Sequence, residues 1–86
     1  MNKKEFMEIV NEGIRRDKAY IAVRLETEGD EFPDIRINCR HHVNAIFKYY
    51  LSAFDDNMES VKDGKVVRIT KVLMTNDLAN MDWFTD

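Results

Sequence analysis

Cysteine, serine and glycine are scarce in this chain of 86 residues, and each scarcity excludes a class of structure or chemistry. The single cysteine, Cys39, allows no internal disulfide, so a reducing cytosol is the expected compartment. Neither serine, Ser52 or Ser60, stands in the glycine-flanked turn that presents a hydrolase nucleophile. The three glycines lie too far apart to form a phosphate-binding loop.

Long apolar runs are absent too, and bases are fewer than acids. No run approaches the roughly 18 residues that a membrane span needs, and the first residues contain no apolar signal core, so we expect neither insertion nor export. Acidic residues number 16 and basic residues 13, for a net charge of −3. Direct binding of nucleic acid uses lysine and arginine, so this balance favours a basic protein partner instead. The length predicts a single domain over residues 1–86.

The first predicted element is a helix from Lys3 to Arg16, with Asn2 as its N-cap. Its apolar residues recur every three or four positions, as one face of a helix requires. Gly13 lies in that stripe, where glycine costs about 1 kcal/mol relative to alanine. It indicates either a close approach to a sheet or fraying of the helix end.

Two alternating segments then predict an antiparallel hairpin. The first strand is expected from Ala19 to Thr27 and the second from Asp34 to Cys39, with the loop of residues 28–33 between them. In the second strand, alternation predicts that Ile35, Ile37 and Cys39 point inward. Cys39 is therefore interpreted as a small buried thiol rather than a reactive one.

The segment from His41 to Met58 predicts a long amphipathic helix. Its apolar stripe contains Val43, Ile46, Phe47, Tyr50, Leu51, Phe54 and Met58. Such a helix ends at Asp55, Asp56 and Glu59, where cations would suit the helix dipole better than acids. The stripe explains a core, whereas the acidic end is left without a structural reason.

A third strand is expected from Val66 to Met74, and its alternation is imperfect. Either its end is covered on both faces or a β-bulge switches its register. A short terminal helix is expected from Leu78 to Phe84. The predicted fold is α+β: a three-stranded, mainly antiparallel sheet with two helices on one face, in the order α-β-β-α-β plus a short C-terminal helix.

No motif supports catalysis, a cofactor or a metal site. Adjacent histidines on a helix, such as His41 and His42, point about 100° apart, so they do not converge with Cys39 on one ion. The acidic run that starts at Asp55 lacks the glycine and the bidentate glutamate of a calcium loop. A Cys39–His42 pair lacks a positioned third group, so we expect no enzyme.

The second face of the long helix offers a candidate binding surface. Small and aromatic residues line it where water-facing positions usually carry long polar side chains. These residues are Ala45, Tyr49, Ser52, Ala53 and Asp56. Either the terminal segment containing Trp83 and Phe84 packs there, or the apolar stripe is simply wide, or the face binds a partner or a second copy of the chain.

Acidic residues form clusters around the hairpin loop, after the long helix and in the tail. The first cluster includes Asp30 and Glu31, and the second includes Asp55, Asp56 and Glu59. One interpretation is ordinary solubilising charge, since Lys62, Lys65, Arg24 and Arg36 are interspersed. The other is a surface that imitates the phosphates of nucleic acid on a basic partner.

Two stretches carry a family resemblance: Phe32-Pro33-Asp34-Ile35-Arg36-Ile37-Asn38, and Tyr49-Tyr50-Leu51-Ser52-Ala53-Phe54-Asp55-Asp56-Asn57. They resemble small hypothetical proteins of phages and prophages of Gram-positive bacteria, over most of residues 2–70. In length, charge and the stretch Tyr50–Phe54, the chain is also similar to small acidic anti-CRISPR proteins that inhibit Cas9. Because Cas9 reads DNA next to its target through arginines, that likeness implies an acidic competitor for a basic DNA-binding surface.

The resemblance and the surface together predict a non-enzymatic protein-binding inhibitor from a phage or mobile element, with Cas9 as the suspected partner. The predicted partner-binding residues are Asp55, Asp56, Glu59, Asp30, Glu31 and Tyr49. The alternative is a homodimeric structural or adaptor protein of a phage early region. It would use the Ala45–Tyr49–Ser52–Ala53 face.

Overall fold

The computed structural model describes residues 1–79, which contain two helices and four strands. In chain order these are α1 (Lys3–Arg15), β1 (Tyr20–Thr27), β2 (Asp34–Cys39), a 3₁₀ turn (Arg40–His42), α2 (Val43–Ala53), β3 (Glu59–Lys62) and β4 (Lys65–Thr75). Neither helix in this range is long and apolar enough to cross a membrane. The predicted terminal helix, Leu78–Phe84, falls outside the described residues except for its first two positions.

The four strands form one antiparallel sheet in the order β2-β1-β4-β3. The α+β class is therefore confirmed, whereas the three-stranded sheet is wrong by one strand. The missed strand, β3, pairs with β4 through a two-residue turn at Asp63 and Gly64. Both residues have positive φ, 54° and 78°, as a type I′ hairpin turn requires. Asp-Gly between two strand segments was a usable signal for this hairpin.

Both helices pack on the same face of the sheet. Phe6 and Val10 of α1 and Val43 and Tyr50 of α2 join a single core with inward residues of β1 and β4. The Phe6 ring lies 5.8 Å from the Tyr50 ring, edge to face, and so links the two helices. The helices run in opposite directions, since Lys3 Nζ at the start of α1 donates to the Leu51 carbonyl near the end of α2.

A β-bulge in β4 resolves the imperfect alternation of that strand. Arg24 lies opposite Lys71 and Leu25 lies opposite Ile69, so Thr70 is the extra residue. The shift allows Val67 and Ile69 on one side of the bulge, and Val72 and Met74 on the other, to face the same core. Of the two interpretations of this strand, the structure supports the bulge.

The prediction that Ile35, Ile37 and Cys39 of β2 point inward is wrong. Ile37 lies opposite Ala22 and Ile35 opposite Arg24, so they share the face of the sheet that points away from the helices. Asp34, Arg36 and Asn38 instead share the helix side. Cys39 is exposed, so its interpretation as a buried thiol is also wrong. Alternation gives two faces but does not say which one the helices cover.

The second helix ends earlier than predicted. It stops at Ala53, and Phe54 is extended, with φ −115° and ψ 149°. Phe54 and Met58 are still buried, so their apolar spacing correctly predicts that they belong to the core, although neither residue is helical. The acids after Ala53 lie in a turn rather than in the last helical turn, and the conflict with the helix dipole disappears.

Gly13 is the point of closest approach between α1 and the sheet. A Cβ placed on Gly13 would overlap the Cβ and Cγ of Met74 in β4. The Met74 Cβ is fixed by the backbone, so a rotamer change cannot relieve the overlap. The close approach, rather than fraying, therefore explains the glycine.

We predict that Gly13→Ala destabilises the protein by about 1–3 kcal/mol, because the overlap outweighs the gain in helix propensity. Asn11→Ala, at an exposed position of the same helix, is the control and should be neutral or slightly stabilising. Urea denaturation of both variants measures the difference. A Gly13→Ala protein more stable than the parent would show that α1 does not pack this tightly.

Candidate interaction surface

The turn after α2 uses Asp55 as a structural residue. Its Oδ1 accepts hydrogen bonds from the backbone N–H groups of Asn57 (2.9 Å) and Glu59 (3.0 Å). Its own N–H donates to the Glu59 carbonyl (2.8 Å), and its carbonyl accepts from the Met58 N–H (2.9 Å). This carboxylate is therefore explained by local backbone satisfaction, the usual role of aspartate in turns.

The same turn ties α1 and the sheet together. The Asp56 carbonyl accepts from the Lys3 N–H at the start of α1 (2.9 Å), and the Met58 carbonyl accepts from the Ile69 N–H of β4 (3.0 Å). Met58 is fully buried and has a φ of 56°, in the left-handed region. The Asp56 side chain points to solvent, so only its backbone takes part in this network.

Glu59 is also partnered within the fold. Arg68 Nε donates to Glu59 Oε2 at 2.7 Å, across the β3–β4 pair. Arg68 in turn lies opposite Glu26 of β1 in the sheet register. Glu59 therefore belongs to a row of alternating charge that crosses three strands, and a cross-strand pair accounts for its presence.

The other predicted acids, Asp30 and Glu31, lie in the exposed loop between β1 and β2. The Asp30 N–H donates to the Thr27 carbonyl (3.0 Å), and Gly29 with a φ of 86° reverses the chain. Phe32, the next residue, is 70% exposed. This loop combines two carboxylates with an uncovered aromatic ring.

The structure does not bring the two acidic groups together. The Asp30–Glu31 loop joins β1 to β2, whereas the turn of Asp55 and Asp56 precedes β3 on the opposite edge. β1 and β3 are two strand spacings apart, about 10 Å. Lys62 and Lys65 lie at the β3–β4 turn, at the same end of the sheet as the acidic loop. Across residues 1–79, the surface therefore has mixed charge and no continuous acidic stripe.

Tyr49 is the predicted site residue with the most informative surroundings. It is 49% exposed, and its ring lies edge to face against the Tyr50 ring at 5.3 Å. On one side it borders a shallow depression with Ala45 and Ile37. On the other it borders a cavity of about 260 Å³ between α2 and the two edge strands, which we call the Tyr49 groove. The residues lining the Tyr49 groove are Leu25, Thr27, Asp34, Arg36, Tyr49, Tyr50, Ala53, Phe54, Ser60, Val61, Lys62 and Val67.

The groove has an apolar floor and a charged rim. Leu25 of β1, Val67 of β4 and Phe54, just after α2, supply buried apolar side chains. On the rim, Arg36 Nε donates to Asp34 Oδ2 at 3.0 Å, and this bond raises the pKa of Arg36. Burial raises the pKa of the Tyr50 phenol, so this group stays neutral well into the alkaline range. An apolar centre with a polar rim is the usual composition of a protein-binding patch.

Sequence reasoning missed most of this groove. The alternation that predicts Ile35 and Ile37 inward puts Asp34 and Arg36 on the other face, and the sequence predicts no strand at Val61 and Lys62. The Asp-Gly turn could have identified β3, but no local signal indicated that β2 and β3 are the two edge strands. Within residues 1–79, no group of three or more metal-ligating side chains converges, and Cys39 and His42 remain exposed.

Comparison with known proteins gives no family for the chain: no family model, curated protein or solved structure matches it.

We predict that Asp55→Ala lowers the unfolding free energy by about 1–3 kcal/mol, because two backbone N–H groups lose their acceptor. Asp56→Ala, which removes a neighbouring carboxylate that points to solvent, should change it by less than about 0.5 kcal/mol. Chemical denaturation of the two variants measures both effects. Equal effects of the two substitutions would contradict the structural role of Asp55.

Proposed function

We propose that this chain is a non-enzymatic protein-binding module and that its contact surface is the Tyr49 groove with the adjoining Asp30–Glu31 loop. The observation that carries this proposal is the combination of a buried apolar floor, a charged rim and a half-exposed tyrosine held against Tyr50. A tyrosine packed against a second ring loses little conformational freedom on binding, so it suits an anchor position.

The groove chemistry describes the partner segment. An apolar side chain would enter the cavity above Leu25 and Phe54, while basic groups beside it would meet Asp30 and Glu31. The net charge of −3 favours approach to a basic surface over long range. Of the six predicted contact residues, Tyr49, Asp30 and Glu31 belong to this surface, and Asp56 forms a separate exposed acid on the other flank.

The first partner to test is Cas9, and the proposed activity is inhibition by a phage-encoded or mobile-element protein that occupies its basic DNA-binding surface. This specific partner comes from the sequence resemblance, whereas the groove supports the broader role of a protein-binding module. Arginines that read DNA next to the target would pair with the acidic loop instead. Asp55 and Glu59 are left out of the proposed contact because the turn and Arg68 already engage them.

We predict that Glu31→Lys weakens inhibition of DNA cleavage by Cas9 about fivefold, because one attraction of about 1 kcal/mol is lost at the interface. Glu8→Lys makes the same charge change at an exposed position of α1 and should leave inhibition unchanged. Binding of the parent should also weaken as salt rises. Equal inhibition by both variants, or none by the parent, would exclude this partner and mode.

A second candidate is a homodimer formed through one side of α2. The observation that favours it is the exposure of Ala45, Tyr49, Ser52 and Ala53, small or aromatic residues that no helix among residues 1–79 covers. Small side chains permit close approach of a second helix. This arrangement would serve a structural or adaptor protein.

For the homodimer, we predict a molecular mass by light scattering that rises with concentration in the parent and stays monomeric in Tyr49→Glu. A buried carboxylate at the helix contact would oppose association. Lys48→Glu introduces a carboxylate at the neighbouring exposed position of α2, outside this face, and should leave association intact. A parent that stays monomeric at all concentrations would exclude the dimer.

A further inference from the structure

The two outer strands of the sheet differ in how their open edges are satisfied. In β3, the outward-facing N–H of Glu59 donates to Asp55 Oδ1 at 3.0 Å, and its C=O accepts from the Asp55 N–H at 2.8 Å. Lys62, at the end of β3, adds a charge of the kind that discourages pairing along an edge. The turn before β3 therefore blocks the start of this edge.

The edge of β2 has no such protection. The Arg40 N–H donates to the Ala19 carbonyl at 2.8 Å, so these two residues are a hydrogen-bonded pair of the antiparallel ladder. Every second residue back along β2 then also bonds to β1, and the residues between them direct their backbone groups away from the sheet. The outward groups are the N–H and C=O of Ile35 and Ile37 and the N–H of Cys39. Within residues 1–79, they have no hydrogen-bond partner.

The side chains beside the β2 edge leave room for another strand. Ile37 is 46% exposed on one face of the sheet. On the other face Arg36 is half-exposed, so α2 does not extend over this edge. The β1–β2 register is regular from Asp34 to Cys39, without a bulge or a proline that would prevent pairing. An open and regular edge of this kind is a template for a further strand.

A second copy of β2 is complementary to this edge in one register. A two-fold axis normal to the sheet keeps like faces together only if it passes through a residue of the strand. An axis at Ile35 would put Ile37 opposite Pro33, which has no N–H to donate. An axis at Arg36 would put two arginines directly opposite each other, which is unfavourable.

An axis at Ile37 avoids both problems. The opposed residues of the two copies are then Ile37 with Ile37, Ile35 with Cys39, Arg36 with Asn38, and Asp34 with Arg40. Apolar side chains meet on one face, and the charged groups that lie directly opposite, Asp34 and Arg40, have opposite signs. About four backbone hydrogen bonds would form across the axis from groups that are otherwise open.

We propose that β2 pairs antiparallel with β2 of a second copy of this chain about a two-fold axis at Ile37, which joins two four-stranded sheets into one. This proposal deepens the homodimer candidate above and rests on it, because it adds the backbone edge of β2 to the contact. Ala45 and Tyr49 of α2 border a depression shared with β2, so the exposed sides of the two α2 helices face each other across the same axis.

Cysteine crosslinking tests the register, with Cys39→Ser in every variant so that the introduced thiol is the only one. Across the axis, the two Cα atoms at position 37 are expected about 5.5 Å apart, within the range that a disulfide spans. Ile37→Cys should therefore give a covalent dimer as the main species on a non-reducing gel after mild oxidation. Circular dichroism verifies that the variants are folded.

Two further variants control for random collision. Val61→Cys places the thiol on β3 at a position that is 71% exposed, and should give little covalent dimer. Ile35→Cys places it on β2, but the two thiols are then offset by about 13 Å along the strands, too far for a disulfide. The proposal would be overturned by equal crosslinking of Ile37→Cys and Val61→Cys, by none in Ile37→Cys, or by stronger crosslinking at position 35 than at position 37.

A backbone variant separates the β2 edge from a contact through α2 alone. Ile37→Pro removes the outward N–H and leaves the bonds from β2 to β1 in place, whereas Ile37→Val keeps that N–H. By light scattering, Ile37→Val should form the dimer as the parent does, and Ile37→Pro should stay monomeric. A dimer that Tyr49→Glu abolishes and folded Ile37→Pro retains would overturn the edge pairing and leave the α2 homodimer standing. A parent that is monomeric at all concentrations would exclude both.

Discussion

The turn from Asp55 to Glu59 holds the fold together, because three elements depend on its backbone. Its residues follow directly on the C-cap of α2, accept the first N–H of α1 through the Asp56 carbonyl, and accept the Ile69 N–H of β4 through the Met58 carbonyl. Met58 is fully buried and has a left-handed backbone, and the Asp55 carboxylate stabilises the turn in which it lies. The strain at Met58 is offset by burial and by the hydrogen bonds around it.

The central strands impose a second constraint. β1 is buried from Ile21 to Leu25 without interruption, as a strand at the centre of the sheet requires. The helices cover one face, and α1 comes so close to Met74 that only glycine fits at position 13. The bulge at Thr70 then keeps the apolar residues of β4 on that same side. The opposite face contains Arg24 near its centre, so the two faces of the sheet differ in charge as well as in packing.

Of the six residues proposed from the sequence as a contact surface, two have structural reasons to be acidic. Asp55 satisfies backbone donors in a turn, and Glu59 pairs with Arg68. In the sequence, acids that cluster after a helix look like an interaction patch. Their hydrogen-bond partners cannot be seen there, because chain reversal and strand pairing determine those partners. Tyr49 differs, since its ring is partly exposed and packs edge to face against Tyr50, and no hydrogen bond or ion pair within residues 1–79 explains it. Helical spacing predicts that Tyr49 lies outside the apolar stripe of the helix, and its ring is indeed partly exposed on α2.

Local patterns in the sequence determined α1 with its Asn2 cap, the β1–β2 hairpin, most of α2 and the need for a bulge or a double cover in β4. These depend on hydrophobic periods and on side chains that bond their near neighbours. The tertiary structure decided where α2 ends, which face of β2 meets the helices, and that β2 and β3 are the outer strands. It also formed the Tyr49 groove, whose walls come from residues 25 to 67. Such features arise from pairing between distant segments, and a one-residue change of register would move every side chain to the other face.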